Sequence, residues 1–145
     1  MQARQIHEAN GQRTFALVLD PGDEVMASLE RFAADERVAA AQITAIGAFA
    51  RATLAFWDGA KKEYLEIPVE EVTEVVAMLG DVSVTEDGKP KLHLHAVLGR
   101  RDGSTLGGHL LKGTVEPTLE VVLTESPAHL RRVHDPEKGL PLIRL

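Results

Sequence analysis

The stretch of sequence that decides the fold runs from Lys91 to Thr124 and reads KLHLHAVLGRRDGSTLGGHLLKGTVEPTLEVVLT. Leucines alternate with His93 and His95 at its start, which predicts a strand with both imidazoles on one face and the leucines on the other. The dipeptide Asp102-Gly103 is typical of a hairpin turn. The chain then returns through His109 to a long apolar segment. We therefore expect an antiparallel pair of strands that carries three histidines.

His93, His95 and His109 form a candidate metal site with three nitrogen ligands. Histidines two residues apart on a strand have Cα atoms roughly 6.5–7 Å apart, a spacing that suits a shared ion. A third histidine across the hairpin would complete the set and leave one position open for water or a substrate. Zn²⁺ or another divalent metal is the expected ion. Glu74 and Glu120, both on apolar segments, are candidate hydrogen-bond partners of the imidazoles.

The same histidines have a second interpretation, as neutral structural side chains bonded to the backbone or to Glu74 and Glu120. The pair Gly107-Gly108 also has two interpretations. It would give His109 room at a functional edge, or it would let another strand or subunit pack closely. Surface positions are expected for the remaining histidines, which are His7, His129 and His134. The sequence leaves these alternatives unresolved.

Other catalytic and cofactor sites are not indicated. The chain has no cysteine, which excludes a thiolate nucleophile and a cysteine-based zinc site. It also has no G-x-S-x-G and no G-x-G-x-x-G pattern, so neither a serine nucleophile nor a nucleotide-binding loop is predicted. The sequence therefore identifies no catalytic residues, and we do not expect the protein to be an enzyme.

The N-terminal half predicts a strand, a helix and a second strand. Residues 1–12 are polar and are expected to form a loose leader. Thr14–Leu19 is a continuous apolar run, which is typical of a buried strand. Asp20 as the N-cap and apolar residues at helical spacing predict an amphipathic helix to about Arg37. A strand over Ala39–Ala50 would follow, and this order favours a right-handed crossover with parallel pairing.

The remaining segments add mostly strands. Arg51–Trp57 and Lys62–Val69 flank a D-G turn and predict a hairpin. Glu70–Val84 is ambiguous, because its apolar spacing fits a helix whereas its valines favour a strand. Strands are expected over Ser104–Leu111 and Val115–Thr124, and the tail is expected to be irregular. These elements predict an α+β fold with one main helix packed on a largely antiparallel sheet.

Length and charge limit the class of protein. With 145 residues, the chain is long enough for one domain and short for two, so residues 1–145 are predicted to be a single domain. No segment approaches ~18 consecutive apolar residues, which predicts a soluble, cytoplasmic protein without membrane contact. The net charge of −6 disfavours direct nucleic-acid binding, since that binding depends largely on basic side chains. The basic doublets, Arg131-Arg132 among them, are interpreted as solvated surface charge.

The chain resembles the plants-and-prokaryotes conserved (PPC) domain over nearly its whole length. The D-P-G-D-E helix start, the A-I-G-A step at Ala45–Ala48 and the tail segment Arg132–Gly139 fit this family. The most specific matches lie in the histidine-rich stretch: His93, His95, Asp102, Gly103, Gly107, Gly108, His109, Gly113, Val115, Thr118, Glu120, Val121 and Val122.

This resemblance implies an α+β fold assembled as a homotrimer. In plants the domain follows AT-hook motifs in nuclear DNA-binding proteins, whereas prokaryotic members are usually the domain alone and are often named as candidate DNA-binding proteins. The present sequence has no R-G-R-P hook. It also departs from the plant G-R-F-E-I-L segment at Glu71–Val76, so the plant partner contact through arginine is not carried over.

Two function hypotheses follow. The first is a stand-alone, homotrimeric regulatory or assembly domain related to DNA-binding proteins, with an unknown protein or small-molecule partner. The second is a metal-dependent small-molecule-binding protein or enzyme that uses His93, His95 and His109. In the second, the metal would polarise a ligand oxygen or activate water. Direct nucleic-acid binding is less expected than either, because the net charge of the chain is negative.

Overall fold

The computed structural model of the chain describes residues 1–126 and 130–144. Within those residues it has one helix and nine strands. In chain order these are β1 (Gln2–Ala9), β2 (Gln12–Leu19), α1 (Val25–Asp35), β3 (Ala41–Asp58), β4 (Glu63–Val69), β5 (Thr73–Val84), β6 (Pro90–Gly99), β7 (Thr105–Glu125), β8 (Arg131–Asp135) and β9 (Leu140–Arg144). No described helix is long and apolar enough to cross a membrane.

The long strands β3 and β7 organise the sheet. They pair with each other, β3 also pairs with β5, β7 also pairs with β6, and β5 pairs with β6, so these four strands close a cycle of pairings. β2 and β1 extend the sheet from β7, β4 pairs with β3, and the β8–β9 hairpin lies beside β5. Among the described strands, the one parallel contact is the bridge between Val84 and Arg131. The predicted α+β class and largely antiparallel sheet are confirmed.

One hydrophobic core decides which way the histidine strand faces. Leu94 of β6 and Leu29 of α1 are fully buried, and Phe32 of α1 is buried in the same core. Side chains alternate along a strand, so burial of the β6 leucines turns His93 and His95 to the opposite face. Each buried leucine contributes about 1.5–3 kcal/mol. Core packing therefore fixes the face on which the imidazoles lie.

The N-terminal residues form a strand where the sequence predicts a loose leader over residues 1–12. β1 pairs antiparallel with β2 from Gln2 to Ala9, with one irregularity between Gln5 and His7. Every β1 residue is exposed, so the strand carries no buried apolar face. Backbone hydrogen bonds to β2 hold it, and these leave no mark on an apolar pattern. The prediction of a leader was therefore wrong.

The helix begins later than the sequence predicts. Its N-cap is Glu24, whose Oε2 accepts a hydrogen bond from Ala27 N at 2.8 Å. Asp20, the predicted N-cap, instead accepts from the N-terminal ammonium group at 2.7 Å. Gly22, with a φ of 86°, turns the chain between Asp20 and the helix. The helix itself is confirmed, but its N-cap lies four residues, about one turn, after the predicted residue Asp20.

Long-range pairing differs from the local expectations. β2 and β3 run parallel, but β7 lies between them and pairs antiparallel with both, so the predicted direct pairing is wrong. The ambiguous segment 70–84 contains the strand β5, and the two strands predicted after the hairpin are one continuous strand, β7. Residues 131–144 of the tail contain the β8–β9 hairpin, so the predicted irregular structure is wrong for this described part. A local pattern does not say which distant strand will intervene.

The pair Gly107-Gly108 lies where β7 packs closely on β3. A Cβ atom at Gly108 would lie 2.8 Å from the Ala55 carbonyl oxygen, which is shorter than real contacts allow. A Cβ atom at Gly107 would meet its nearest atom, the Ala96 carbonyl oxygen, at an ordinary 3.6 Å. Close approach of a strand within the chain is thus the reason for glycine at Gly108.

Gly108→Ala should therefore lower the free energy of unfolding by about 1–3 kcal/mol, because the added methyl group overpacks the β3–β7 contact. Gly107→Ala is the matched control and should change it by no more than about 0.5 kcal/mol. Urea denaturation of both variants measures the difference. Equal effects of the two substitutions would contradict the packing argument.

Candidate metal centre

The pairing of β6 with β7 brings the three predicted ligands together. His95 of β6 lies directly opposite His109 of β7, and His93 lies two residues away on the same face of β6. Residues opposite each other on antiparallel strands present their side chains on one face. One ring nitrogen from each of the three histidines lies within 4.8 Å of the others. The structure thus assembles the cluster that the sequence predicts.

The separations within the cluster suit a bound ion. In a tetrahedral zinc site with zinc–nitrogen bonds of about 2.0–2.1 Å, ligand nitrogens are about 3.3 Å apart. The Nε2 atoms of His93 and His95 are already 3.2 Å apart. Nδ1 of His109 is buried and has no hydrogen-bond partner in the described chain, so this imidazole is free to coordinate. Three imidazoles are a donor set that zinc and related divalent metals accept.

Burial favours the neutral form of the His93 and His109 imidazoles, which is the form that coordinates metals. The pKa of His109 is lowered to about 4, mainly by desolvation and then by the charges of His93, His95, Lys91 and Arg132. The pKa of His93 is also lowered, first by burial and then by Arg132 and His95, while Asp81 opposes the shift. Neutral imidazole is the form that ligates metals, so neither ring has to lose a proton near pH 7.

A buried arginine from the C-terminal hairpin holds the histidine cluster. Nη2 of Arg132 donates to Asp81 Oδ1 and Oδ2 at 3.0 and 2.8 Å and to His93 Nδ1 at 3.0 Å. Its Nε donates to Ser83 Oγ at 3.0 Å, and Nη1 donates to the Pro141 carbonyl at 3.2 Å. Only 8% of the Arg132 side chain is exposed. This guanidinium ties β5, β6, β8 and β9 together at the edge of the site.

Asp81 supports His93 through Arg132. Since guanidinium nitrogens only donate, His93 Nδ1 accepts from Arg132, and the proton of the neutral ring is then on Nε2. Asp81 Oδ2 lies 3.9 Å from Nδ1, beyond hydrogen-bond distance, and accepts from the same guanidinium. Arg132 therefore connects the carboxylate to the ring and helps to fix the orientation of His93.

Tyr64 closes the cluster from the side of β4. Its ring stacks on His109, with centroids 4.8 Å apart and planes inclined by 16°. Trp57 in turn packs edge-on against Tyr64 at 5.0 Å. The β3–β4 hairpin pairs Trp57 with Tyr64 directly, which sets this arrangement. The His109 ring is therefore held in place by aromatic contacts rather than by a hydrogen bond on Nδ1.

A cavity of about 460 Å³ opens beside His93 and His109. α1 lines it with Met26 and Glu30, and β9 lines it with Leu140, Pro141 and Leu142. His95 does not line this cavity and is exposed on the outer face of the sheet, where it borders Leu79 and Val97. The cluster thus borders this cavity on one side and an exposed apolar surface on the other.

The predicted supporting acids lie elsewhere. Glu74 is opposite Gly99, five residues along β5 from Leu79, which is opposite His95, so the separation along the strand is about 16 Å. Glu74 and Glu120 are both exposed and line a separate shallow cavity. Their assignment as partners of the imidazoles was therefore wrong, and Asp81 takes that place. Alternation along a strand does not reveal which end of it meets the site.

Sequence reasoning also missed Arg132. The interpretation of Arg131-Arg132 as surface charge holds for Arg131, which is exposed, and is wrong for Arg132. The polar residues Asp81 and Ser83 within an apolar strand were the available signal, because they call for a buried donor. The tail histidine His134 is exposed as expected, as is His7 of β1, whereas His129 lies outside the described residues.

Comparison with known proteins then decides the family. The family model of the Plants and Prokaryotes Conserved (PCC) domain matches residues 6–127. The chain belongs to this family. The matched region contains His93, His95 and His109 and stops before β8, so Arg132 lies outside it.

Solved structures of related proteins share the fold. The metal-containing protein of Archaeoglobus fulgidus is 33% identical, with a TM-score of 0.86 over 98% of this chain and all of that chain. A Ralstonia eutropha protein named as a candidate DNA-binding protein is 32% identical, with a TM-score of 0.84 over 90% of each chain. The PPC chain therefore shares its architecture with proteins whose names refer to metal in one case and DNA in the other.

A curated relative is much longer. The bifunctional protein GlmU of a Synechococcus strain is 35% identical over 130 residues, which are 88% of this chain and 20% of GlmU. The chain thus spans about a fifth of that relative's length.

Arg132→Met is expected to lower the free energy of unfolding by about 3 kcal/mol, since it leaves the largely buried Asp81 carboxylate without its partner. Arg144→Met in the same hairpin is the control, because the Arg144–Asp135 ion pair is exposed to solvent and screened. Denaturant unfolding of the two variants should show a large loss for the first and little change for the second. Similar curves would contradict the role of Arg132.

Proposed function

We propose that this PPC-domain protein binds one divalent metal ion, zinc being the leading candidate, through His93, His95 and His109. The observation that carries the proposal is the convergence of three ring nitrogens within 4.8 Å on one face of β6 and β7. The name of the Archaeoglobus relative, which refers to metal, supports it. When bound, such an ion would polarise a ligand oxygen or activate water.

The protein's own residues would prepare the site for a small molecule. Tyr64 holds the plane of His109, and Arg132 with Asp81 holds His93, so two ligands are fixed before an ion arrives. His93 and His109 also line the cavity of about 460 Å³. An open coordination position on that side would face the cavity. We therefore favour small-molecule binding at the metal as the function, and leave the reaction, if any, unassigned.

The metal proposal predicts close to one Zn²⁺ per chain in protein purified without a histidine tag under zinc-replete conditions. Loss of a partner behind a ligand costs roughly 10–100-fold in metal affinity, and loss of a ligand should cost more, so His109→Ala should weaken zinc binding by at least about 100-fold. His134→Ala, which changes an exposed histidine of β8, is the control. Metal analysis and calorimetric titration measure both.

Absence of stoichiometric metal in the wild-type protein would rule the proposal out. So would an equal loss of affinity in His134→Ala and His109→Ala, since the described His134 lies outside the cluster. His95→Ala is a second variant of a proposed ligand. Because His95 is exposed, its truncation leaves the core unchanged, so loss of zinc binding in this variant cannot be explained by misfolding.

The second proposal is assembly as a homotrimer, which the family resemblance implies. An apolar surface on the outer face of the sheet supports it: Ile46, Val76 and Leu79 are 55–60% exposed, and Val18 and Val122 are 40% and 44% exposed. Thr44 pairs with both Val122 and Leu79, and β2, which carries Val18, pairs with β7, so these side chains form one patch across β2, β7, β3 and β5. Monomeric proteins rarely expose such a patch. We propose that two further copies of this chain bury it in the trimer.

If this patch is the trimer interface, Ile46→Lys should convert the trimer to monomer, because a buried lysine at the interface has no partner. Phe56→Lys is the matched control, since Phe56 lies on the same strand, is 65% exposed and is outside the patch. Sedimentation velocity at micromolar concentration measures the species. A wild-type monomer, or dissociation by Phe56→Lys alone, would contradict the assignment.

A regulatory role connected with DNA stays a prediction of the family resemblance. The name of the Ralstonia relative supports a connection. The net charge of −6 weighs against direct contact of this chain with the phosphate backbone. The cytoplasmic location also stays a prediction of the sequence.

A further inference from the structure

We infer that the cavity beside the histidine cluster binds a small carboxylic acid with an apolar body, its carboxylate held between the metal and Lys91. This inference rests on the proposed metal site and names the class of ligand that the site would take. It follows from the shape of the cavity, from its apolar walls and from the uncommitted polar groups at its histidine end.

The cavity has the size and position of a ligand site. Its volume of about 460 Å³ lies within the range of roughly 300–1,000 Å³ that is typical of small-molecule sites. His93 and His109 line it, and the β8–β9 hairpin lines it through Leu140 and Leu142. The hairpin that anchors Arg132 therefore also shapes the cavity. A ligand here would contact the metal with one end only.

Much of the cavity lining is apolar and incompletely buried. This part of the lining consists of Met26 of α1, Leu111 of β7, and Leu140 and Leu142 of β9. None of the four belongs to the fully buried core, so each keeps apolar surface that a ligand would cover. Covering such surface with an apolar group favours binding. The body of the ligand is therefore a short hydrocarbon chain.

Lys91 is the cation available to a ligand. It precedes His93 by two residues on β6, which places both side chains on one face, and it lines the cavity. Across residues 1–126 and 130–144, its ammonium group forms no hydrogen bond or ion pair, whereas Lys89 is paired with Asp87 at 3.0 Å. Arg132 is less available, since Asp81, Ser83, His93 and Pro141 occupy its guanidinium.

Two further polar groups complete the histidine end. The Tyr64 hydroxyl has no hydrogen-bond partner among the described residues and is a donor for a ligand oxygen. Glu30 is the acidic residue of the lining and forms no ion pair with Lys91. One lysine offsets this carboxylate, and a divalent ion leaves the histidine end positive. Negatively charged oxygen is thus favoured over a neutral or cationic group.

A carboxylate satisfies all of these groups at once. One of its oxygens would occupy the open position of the metal, and the other would accept from Lys91 and Tyr64. An amide of the same shape offers one neutral oxygen and no charge. Hydrogen bonds to charged groups are the stronger class, so the acid should bind at least about tenfold more tightly than its amide.

The test compares 4-methylpentanoate with 4-methylpentanamide, which share one carbon skeleton, on zinc-loaded protein. Zinc content is measured first for every sample, and calorimetry or ligand-observed NMR then gives the two dissociation constants. We expect the acid to bind at least about tenfold more tightly than the amide. Lys91→Gln should remove most of that preference, whereas Lys89→Gln, two residues away and outside the cavity, should keep it.

The outcomes separate the two proposals. Zinc binding without a preference for the acid overturns the ligand inference and leaves the metal proposal standing. A preference that Lys91→Gln and Lys89→Gln reduce equally also overturns it. If no zinc binds, the metal proposal fails and the ligand inference fails with it. Melting temperatures of both lysine variants should match the wild-type value, since neither residue is buried.

Discussion

The antiparallel register between β6 and β7 is the constraint on which the rest of the structure depends. It places His95 opposite His109, and the tight turn between Arg100 and Ser104 maintains it through two backbone hydrogen bonds. A slip of one residue would move every side chain of β6 to the other face. The core leucines would then face outwards and the histidines inwards. Stability and site assembly therefore come from one pairing.

Close packing and ion pairing restrict this register further. At Gly108 the backbone of β7 approaches β3 so closely that no side chain fits, which holds the strand next to His109 in place. On the other side, Arg132 joins Asp81 to His93. Burying that guanidinium is costly by itself, and its hydrogen bonds offset the cost. The C-terminal hairpin thus serves the site, although it lies outside the segment that the family model matches.

The histidine cluster connects two surfaces with different chemistry. His93 and His109 face a cavity with apolar walls and with Lys91, which has no ion-pair partner among the described residues, while His95 borders the exposed apolar patch on the outer face. If that patch is covered by further copies of the chain, assembly would restrict access to the site from outside and leave the cavity as the route for a ligand. The acidic surface charge is consistent with a function that does not require direct contact with nucleic acid.

Sequence by itself determined the family, the α+β class and the three ligand candidates. These depend on local patterns: alternation around His93 and His95, the turn before His109, and glycine where backbones meet. It did not reveal β1, whose exposed residues carry no apolar pattern, or the position of β7 between β2 and β3. Only the tertiary structure placed Asp81 and Arg132 beside His93 and moved Glu74 and Glu120 away. The reason is physical: alternation fixes the face of a strand, whereas neighbours along and across the sheet depend on pairing between residues far apart in the chain.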